Sequence, residues 1–247
     1  MQALTFLIRL IDPLLATQPQ SGEPNSAVTY PFIPGSMIRG ALIAQYLGGK
    51  TVDAENPKFR ELFLDGDVHY LNAYLAHPTI QKTRMLPKPL SWYVPKDDAE
   101  KSSATINDFA VKLLKSNEPY KPPKSGEFCY RTGEGTVQLG NPAIRVTVHN
   151  ASNDRDRKLE GESQVFRYDA LAPGGTFVGV ILSEDEDALL KFIRPLLEKG
   201  NLFLGGSQTA GYGRVEIGIE AEDVYLDWQE YTLAEADQDE YAYEASD

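Results

Sequence analysis

Hydrophobic positions along the chain fall into runs typical of strands, separated by segments with helical spacing. The run at 3–11 is almost wholly apolar, as expected of a strand buried on both faces, whereas residues 36–47 repeat apolar side chains at helical intervals. Ser36 is a residue type favoured at helix N-caps, so we expect it to cap that helix. In chain order, the pattern predicts strands at 3–11, 68–75, 163–171, 176–182 and 214–219 and helices at 36–47 and 184–199.

The order of these elements predicts the fold class. Without the strand at 163–171 and the irregular residues 76–162, the order is strand, helix, strand, strand, helix, strand, which is the ferredoxin-like α+β pattern. Residues 76–162 are rich in Pro and Lys, and we interpret them as a long insertion with one helix near 106–114. We therefore predict a ferredoxin-like domain over 1–219, with its first and last strands in one sheet.

Charge divides the chain differently. The net charge is −12, but eleven of the 36 acidic residues, and no Lys or Arg, lie in 220–247. Residues 1–219 consequently hold 25 acidic and 24 basic residues, so we predict a nearly neutral domain followed by an acidic C-terminal tail. A neutral domain is compatible with nucleic-acid binding but does not identify it.

Cysteine usage and hydropathy indicate the compartment. Cys129 is the single cysteine, which excludes an intrachain disulfide and a cysteine-based zinc site and fits a reducing cytoplasm. Residues 1–15 carry Arg9 within their apolar run and lack the pattern of a signal peptide. Because the chain also lacks an apolar run of about 18 residues, we expect a cytoplasmic protein without a membrane span.

Two glycine-containing segments are candidates for contacts with phosphates. Gly35 and Ser36 open the first predicted helix, where backbone N–H groups attract anions, and Arg39 adds a positive charge one turn later. In the second segment, backbone N–H groups and one stacking ring could hold a nucleotide chain. Its candidate residues are Gly205, Gly206, Ser207, Gln208, Thr209, Gly211, Tyr212 and Gly213. Taken alone, each segment is also explained by an ordinary helix start or a tight turn.

Charged and titratable residues supply further candidates. Arg155, Arg157 and Lys158 lie in a mixed-charge stretch that either contacts phosphates or is a solvated loop. His149, just upstream, is the best candidate for a general acid or base, and Asp12 could activate a hydroxyl, although a strand-ending turn explains it more simply. The three histidines form no metal-spaced cluster, so we predict no metal site and no cofactor.

Residues 33–42 and 205–215, in that order, resemble the two signatures of the RAMP superfamily of CRISPR-associated proteins. Each segment is modest evidence alone, but together they are specific, and the resemblance spans nearly all of 1–219. Within the superfamily, the chain is most similar to the Csx-ten group, the Cas-five-like subunits of type III-D effector complexes. Segments 59–70, 149–158 and 164–171 carry this narrower likeness.

The resemblance implies a subunit that binds guide RNA inside a ribonucleoprotein, with other CRISPR effector subunits as neighbours and target RNA as an indirect partner. RAMP subunits that cut target RNA carry an Asp in the loop before the first helix. Here that loop, 13–33, holds Glu23 and no Asp, and Asp12 lies at its edge. This departure weakens an interpretation as a target-cutting enzyme.

Our leading hypothesis is a non-catalytic guide-RNA-binding subunit of a type III effector complex that acts in defence against foreign nucleic acid. One alternative is a RAMP ribonuclease that cuts precursor or target RNA. A second alternative is a protein-only scaffold, favoured by the neutral domain and by the acidic tail at 220–247.

Overall fold

The computed structural model describes residues 1–19, 26–78, 83–101, 103–110, 119–124, 126–133, 136–151, 164–199, 202–219, 224–225 and 240–245. The strands are β1 (Gln2–Leu10), β2 (Ser26–Ala27), β3 (Val68–Tyr70), β4 (Tyr74–Leu75), β5 (Leu86–Pro87), β6 (Trp92–Pro95), β7 (Ser103–Asp108), β8 (Tyr120–Lys121), β9 (Phe128–Gly133), β10 (Thr136–Gly140), β11 (Ile144–Ala151), β12 (Gln164–Leu171), β13 (Thr176–Ser183), β14 (Leu202–Phe203), β15 (Arg214–Gly218), β16 (Val224–Tyr225) and β17 (Glu240–Ala245). The helices are α1 (Gly35–Leu47), α2 (Pro57–Phe63) and α3 (Arg194–Leu197), which continues a π-helical turn at Ala188–Ile193, and short 3-10 turns lie at Lys96–Asp98 and Gln208–Ala210.

The chain is a mixed α/β protein that divides into two compact units, residues 1–74 with 142–228 and residues 75–141 with 229–247. The first unit contains the helices α1 to α3 and a sheet in which β14, β15, β1, β13 and β3 are neighbours in that order. The same unit also contains a three-stranded sheet ordered β11, β12, β2.

Strand β1 is central to the sheet of the first unit. It pairs antiparallel with β13 on one side and with β15 on the other, so the prediction that the first and last strands share a sheet is confirmed. Leu4, Phe6 and Ile8 are buried on one of its faces, while Ala3 packs in a cluster with Val180 and Leu182 on the opposite face. Burial on both faces explains why this strand is a continuous apolar run.

The second unit is built mainly of strands, in the order β5, β9, β10, β17, β7, β6, β8. The predicted helix near 106–114 is wrong over its described N-terminal part, because Ser103–Asp108 is a strand. Ile106 and Asn107 are both buried in this strand while Thr105 is exposed, so the strand lacks the regular alternation that a sequence pattern could show. Part of the predicted acidic tail, Glu240–Ala245, is also a strand of this sheet.

The first helix begins differently from the sequence prediction. Its N-cap is Pro34, and Ser36 lies exposed within the first turn without capping it. The Gly35 N–H donates instead to Asn72 Oδ1 at 3.0 Å, so a side chain 37 residues away satisfies this group. A Cβ on Gly35 would lie 1.9 Å from the carbonyl oxygen of Tyr70. The absence of a side chain at Gly35 therefore lets α1 approach the end of β3.

The helix predicted at 184–199 is shorter in the structure, where the helical residues begin at Glu186 and end at Leu197. Side chains just before it explain the difference: Ser183 Oγ accepts the Asp185 N–H at 3.1 Å, and Asp185 Oδ1 accepts the Asp187 N–H at 2.9 Å. The Asp185 side chain thus caps the helix, which therefore begins at Glu186 and not at residue 184. Among the described residues, no helix has the length and hydropathy needed to cross a bilayer.

We expect Gly35→Ala to lower the free energy of unfolding by about 1–3 kcal/mol, because the new methyl group overlaps the Tyr70 carbonyl. Gly40→Ala is the matched control in the same helix, since a Cβ there meets no atom within 4 Å. It should raise the free energy of unfolding by about 0.5–1 kcal/mol, as Ala does over Gly in helices. Urea unfolding measures both, and equal effects of the two substitutions would contradict the close approach at Gly35.

Candidate nucleic-acid interface

The two glycine-containing segments singled out in the sequence contact each other in the structure. A Cβ on Gly205 would lie 3.0 Å from the Leu15 carbonyl oxygen and 3.4 Å from Met37 Cε. Met37 is in the first turn of α1, so the segment 205–213 packs beside the start of that helix. Gly205 also has a φ of 71°, so the contact is made from a backbone conformation that favours glycine.

Backbone hydrogen bonds hold both ends of the segment 205–213 in place. The Leu204 N–H donates to the Gly213 carbonyl oxygen at 2.8 Å, and the Gly213 N–H donates to the Pro13 carbonyl oxygen at 2.9 Å. Between these anchors the chain makes the 3-10 turn Gln208–Ala210. Ser207 precedes this turn with a φ of 58°, a left-handed conformation that is uncommon for a residue with a side chain.

Only part of this segment can offer backbone donors to an anion. The Ala210 N–H already donates to the Ser207 carbonyl at 2.9 Å, and the Gly211 N–H donates to the Gln208 carbonyl at 3.1 Å. With Gly213 also engaged, the expectation that the whole segment supplies donors is corrected. Within the described part of the chain, the N–H groups of residues 206–209 have no backbone acceptor.

The predicted contact residues separate into an exposed and an enclosed group. The exposed members are Ser36, Arg39, Gly206, Ser207, Gln208, Thr209 and Gly211. Gly35 and Gly213 are buried and Gly205 is half-buried, so they shape the site without presenting a surface. Arg155, Arg157 and Lys158 lie outside the described residues.

Tyr212 belongs to the enclosed group, and the proposal that its ring stacks on a base is wrong for this structure. The side chain is only 4% exposed and packs with Leu15 and Ala170. Its hydroxyl lies 2.8 Å from Thr147 Oγ1, and its ring meets Tyr168 edge to face at a centroid distance of 6.4 Å. Tyr212 therefore fastens the segment 205–213 to the sheet of β11 and β12.

Arg39 provides an exposed positive charge on α1. No carboxylate of a described residue lies within 4 Å of its guanidinium. Arg39 is close enough to Tyr70 to affect that group, although burial dominates there and raises the pKa of Tyr70 well above its ordinary value. Tyr70 thus stays a neutral phenol and donates to the Leu62 carbonyl oxygen at 3.0 Å, which leaves the charge of Arg39 available to a ligand.

The candidates for acid–base or metal chemistry do not come together in the described structure. Asp12 pairs with Arg214, with 3.2 Å between Oδ2 and Nε. His69 is exposed on β3, His77 packs against Tyr130 at a ring-centroid distance of 4.3 Å, and His149 lies in β11. Among the described residues, no group of three or more His, Cys, Asp and Glu is placed to hold a metal ion.

Sequence reasoning missed two residues at this interface. Asn72 satisfies the Gly35 N–H from a distant position, which no local pattern indicates. Phe203 is 38% exposed immediately before the glycine segment. Its signal is the strand alternation around it, because its neighbours Leu202 and Leu204 are both buried.

Comparison with known proteins identifies the class to which this arrangement belongs. The sequence matches the RAMP superfamily over residues 8–216. The chain therefore belongs to the RAMP superfamily, and the resemblance carried by 33–42 and 205–215 is confirmed at that level. No curated protein matches the sequence.

Solved structures give the likeness in three dimensions. A chain from the cryo-EM structure of the type III-B Cmr-beta complex in its apo state is 14% identical, with a TM-score of 0.50, covering 90% of this chain and 98% of that one. A chain of a type IV-B CRISPR complex is 14% identical, with a TM-score of 0.43 and coverage of 94% and 96%. Oligomeric Cmr4 from Pyrococcus furiosus is 15% identical, with a TM-score of 0.41 and coverage of 89% and 98%. At these identities the likeness concerns the fold alone, and the TM-scores of the type IV-B chain and of Cmr4 are too low to support a functional argument.

We expect Tyr212→Phe to lower the free energy of unfolding by about 0.5–1.5 kcal/mol, because it removes the hydrogen bond to Thr147. RNA affinity should stay at the wild-type value, since the ring and hydroxyl are enclosed. Thermal or urea unfolding, together with RNA titration of the same preparations, checks both statements. A variant with unchanged stability and weakened RNA binding would place the hydroxyl in contact with RNA instead.

Proposed function

We propose that this chain is a non-catalytic subunit that binds guide RNA in a type III CRISPR ribonucleoprotein effector complex. One observation carries the proposal: the two signature segments of the superfamily, 33–42 and 205–215, pack against each other at Met37 and Gly205. Residues far apart in sequence thereby form one surface. The type III-B Cmr-beta complex among the structural neighbours supports the same kind of assembly.

Contacts to the RNA backbone suit this surface. Arg39 supplies a positive charge, and residues 206–209 supply N–H groups, both of which bind phosphate oxygens. Such contacts hold a nucleic acid in position without reading its sequence. Ser36, exposed in the first turn of α1, adds a hydroxyl on the helix side, and we keep Arg155, Arg157 and Lys158 as further candidate phosphate contacts.

The fold proposed with this function is a ferredoxin-like core. The order β15, β1, β13, β3, with every neighbouring pair antiparallel, supports it, as does the placement of α1 between β1 and β3 in the chain. We propose that residues 76–162 are an insertion into this core. The acidic segment 220–247 contains the strand β17, and we propose that it also binds a protein partner.

We further propose the Csx-ten group of type III-D complexes as the narrower class, on the likeness of segments 59–70, 149–158 and 164–171. The partners are then guide RNA, other effector subunits in a hetero-oligomer and, indirectly, target RNA. The expected setting is the cytoplasm, and no cofactor, metal or membrane takes part.

The ribonuclease alternative depends on Asp12 or His149. The ion pair between Asp12 and Arg214 disfavours the first, because it engages the carboxylate with a neighbouring side chain, 3.2 Å from Oδ2 to Nε. Incubation of the full chain with precursor and target RNA tests the alternative. Cleavage that is lost in Asp12→Ala or in His149→Ala would replace our proposal with a RAMP ribonuclease.

We expect Arg39→Ala to weaken binding of guide RNA by the full chain about tenfold, because a charged contact to phosphate is lost. The slope of log affinity against log salt should become shallower by about one unit. Lys191→Ala is the matched control, since it removes an exposed charge that is already paired with Asp187. Gel-shift titrations of wild type and both variants across a salt series measure the affinities and the salt slopes.

Gly206→Val should also weaken binding, since a side chain there projects into open space and blocks close approach of an RNA backbone. Gly206 does not have a positive φ, so the fold tolerates the substitution, and unfolding should be nearly unchanged. A folded chain that binds no RNA at any salt concentration would favour a protein-only scaffold. Unchanged affinity in both Arg39→Ala and Gly206→Val would place the RNA elsewhere on the chain.

A further inference from the structure

A solvent-exposed face of the sheet in the first unit lies next to the segment 205–213, where β14, β15 and the end of β1 are neighbours. Phe203 on β14 pairs with Arg214 on β15, and the Arg214 carbonyl oxygen accepts the Ile11 N–H at 3.0 Å at the end of β1. Directly opposite residues of antiparallel strands share a face, so these three side chains form one row. The adjacent row on the other face, Leu202, Val215 and Leu10, is buried, which confirms the alternation.

This open row combines exposed apolar surface with guanidinium planes. Phe203 is 38% exposed and Ile11 is 37% exposed, and Arg214 lies between them. Arg9 continues the same face, because it is two residues before Ile11 on β1. Exposed aromatic rings and guanidinium planes on a sheet are surfaces on which nucleic-acid bases stack.

The charges on this face favour a base over a phosphate. Asp12 lies 3.2 Å from Arg214 and Glu216 lies 3.9 Å from Arg9, so each guanidinium has a carboxylate beside it. A phosphate would meet two carboxylates here, whereas a base is uncharged and meets an apolar ring. Arg39 on α1, by contrast, has no carboxylate of a described residue within 4 Å of its guanidinium.

We propose that Phe203, with Arg214 and Ile11 beside it, forms a stacking site for an unpaired base of the RNA. This inference rests on the proposed function and adds a second kind of contact to it. The exposed residues 206–209 follow Phe203 along the chain, so an RNA strand bound through its phosphates there can turn a base onto the neighbouring sheet face. Phe203 is then the stacking ring of the interface, while Tyr212 holds the segment 205–213 on the sheet of β11 and β12.

Paired RNA probes test the site in the full chain. The first probe is a single-stranded oligouridylate of about twelve nucleotides, within the usual range for single-strand binders, and the second is the same backbone without bases. We expect wild type to bind the first probe about 5- to 100-fold more tightly, as one stacked base contributes in such proteins. Phe203→Leu should bring this ratio close to one, while Phe203→Tyr should retain it.

Two further variants make the result specific. Arg39→Ala should weaken binding of both probes equally and leave their ratio unchanged, because it removes a phosphate contact. Leu90→Ala, which removes another strongly exposed apolar side chain, should change neither affinity. Thermal unfolding of each variant shows whether the fold is retained. Phe203→Leu removes the aromatic ring but keeps an apolar residue on β14.

The outcomes separate this inference from the proposed function. If wild type binds RNA and Phe203→Leu keeps the wild-type ratio, the stacking site is contradicted while the RNA-binding role stands. If Phe203→Leu keeps the ratio but loses binding to a neighbouring effector subunit, the row is a protein interface, which also contradicts the site. A wild-type chain that binds neither probe contradicts the proposed function and this inference together.

Discussion

The close packing of backbone against backbone at the start of α1 determines the geometry of the candidate interface. Gly35 lies against the Tyr70 carbonyl, with its N–H held by Asn72, and Gly205 lies against the Leu15 carbonyl and Met37. A side chain at Gly35 would overlap the Tyr70 carbonyl, and one at Gly205 would be tight against the Leu15 carbonyl and strained by the positive φ. Because both approaches depend on missing side chains, the two signature segments of the superfamily can share one surface.

This packing assigns different tasks to residues that look alike in the sequence. Gly35, Gly205 and Gly213 are enclosed and serve the fold, whereas Gly206 and Gly211 are exposed with open space where a side chain would be. The enclosed glycines fix the course of the chain, and the exposed ones leave room for a ligand to approach the backbone. A substitution at an enclosed glycine therefore reports on stability, whereas one at Gly206, which has no positive φ, reports on binding.

The neutral character of the domain is compatible with RNA binding because its charges are arranged locally. Arg9 and Arg214 are compensated by carboxylates on the open sheet face, while Arg39 has no such partner among the described residues. Phosphate and base would then be held by different groups, the phosphate by Arg39 and residues 206–209 and the base by the sheet face that carries Phe203. A net charge taken over the whole chain does not reveal this arrangement.

Features set by the local pattern and by the order of elements were predictable, and those set by single distant contacts were not. The apolar run of β1 indicated a strand buried on both faces, and the order of elements predicted that it shares a sheet with β15. The cap on Gly35 comes from Asn72, 37 residues away, so the local choice of Ser36 was wrong.

Distant partners also explain the errors at Tyr212 and in the second unit. The burial of Tyr212 depends on its contact with Thr147, which is 65 residues away in β11. Gly213, which follows Tyr212, has a positive φ that interrupts the strand alternation. The sequence predicts irregular structure for the second unit because several of its strands, such as β5, β6 and β8, are short. One of them, β17, pairs with β10 from a position about a hundred residues later in the chain.

Cross-linking of guide RNA to the assembled effector complex, followed by mass spectrometry of the cross-linked peptides, tests the central claim most directly. With photoreactive uridines along the guide, our account predicts cross-links in this chain at 203–211 and in the first two turns of α1. Cross-links confined to other parts of this chain, or a complex in which this chain receives none while its neighbours do, would contradict it.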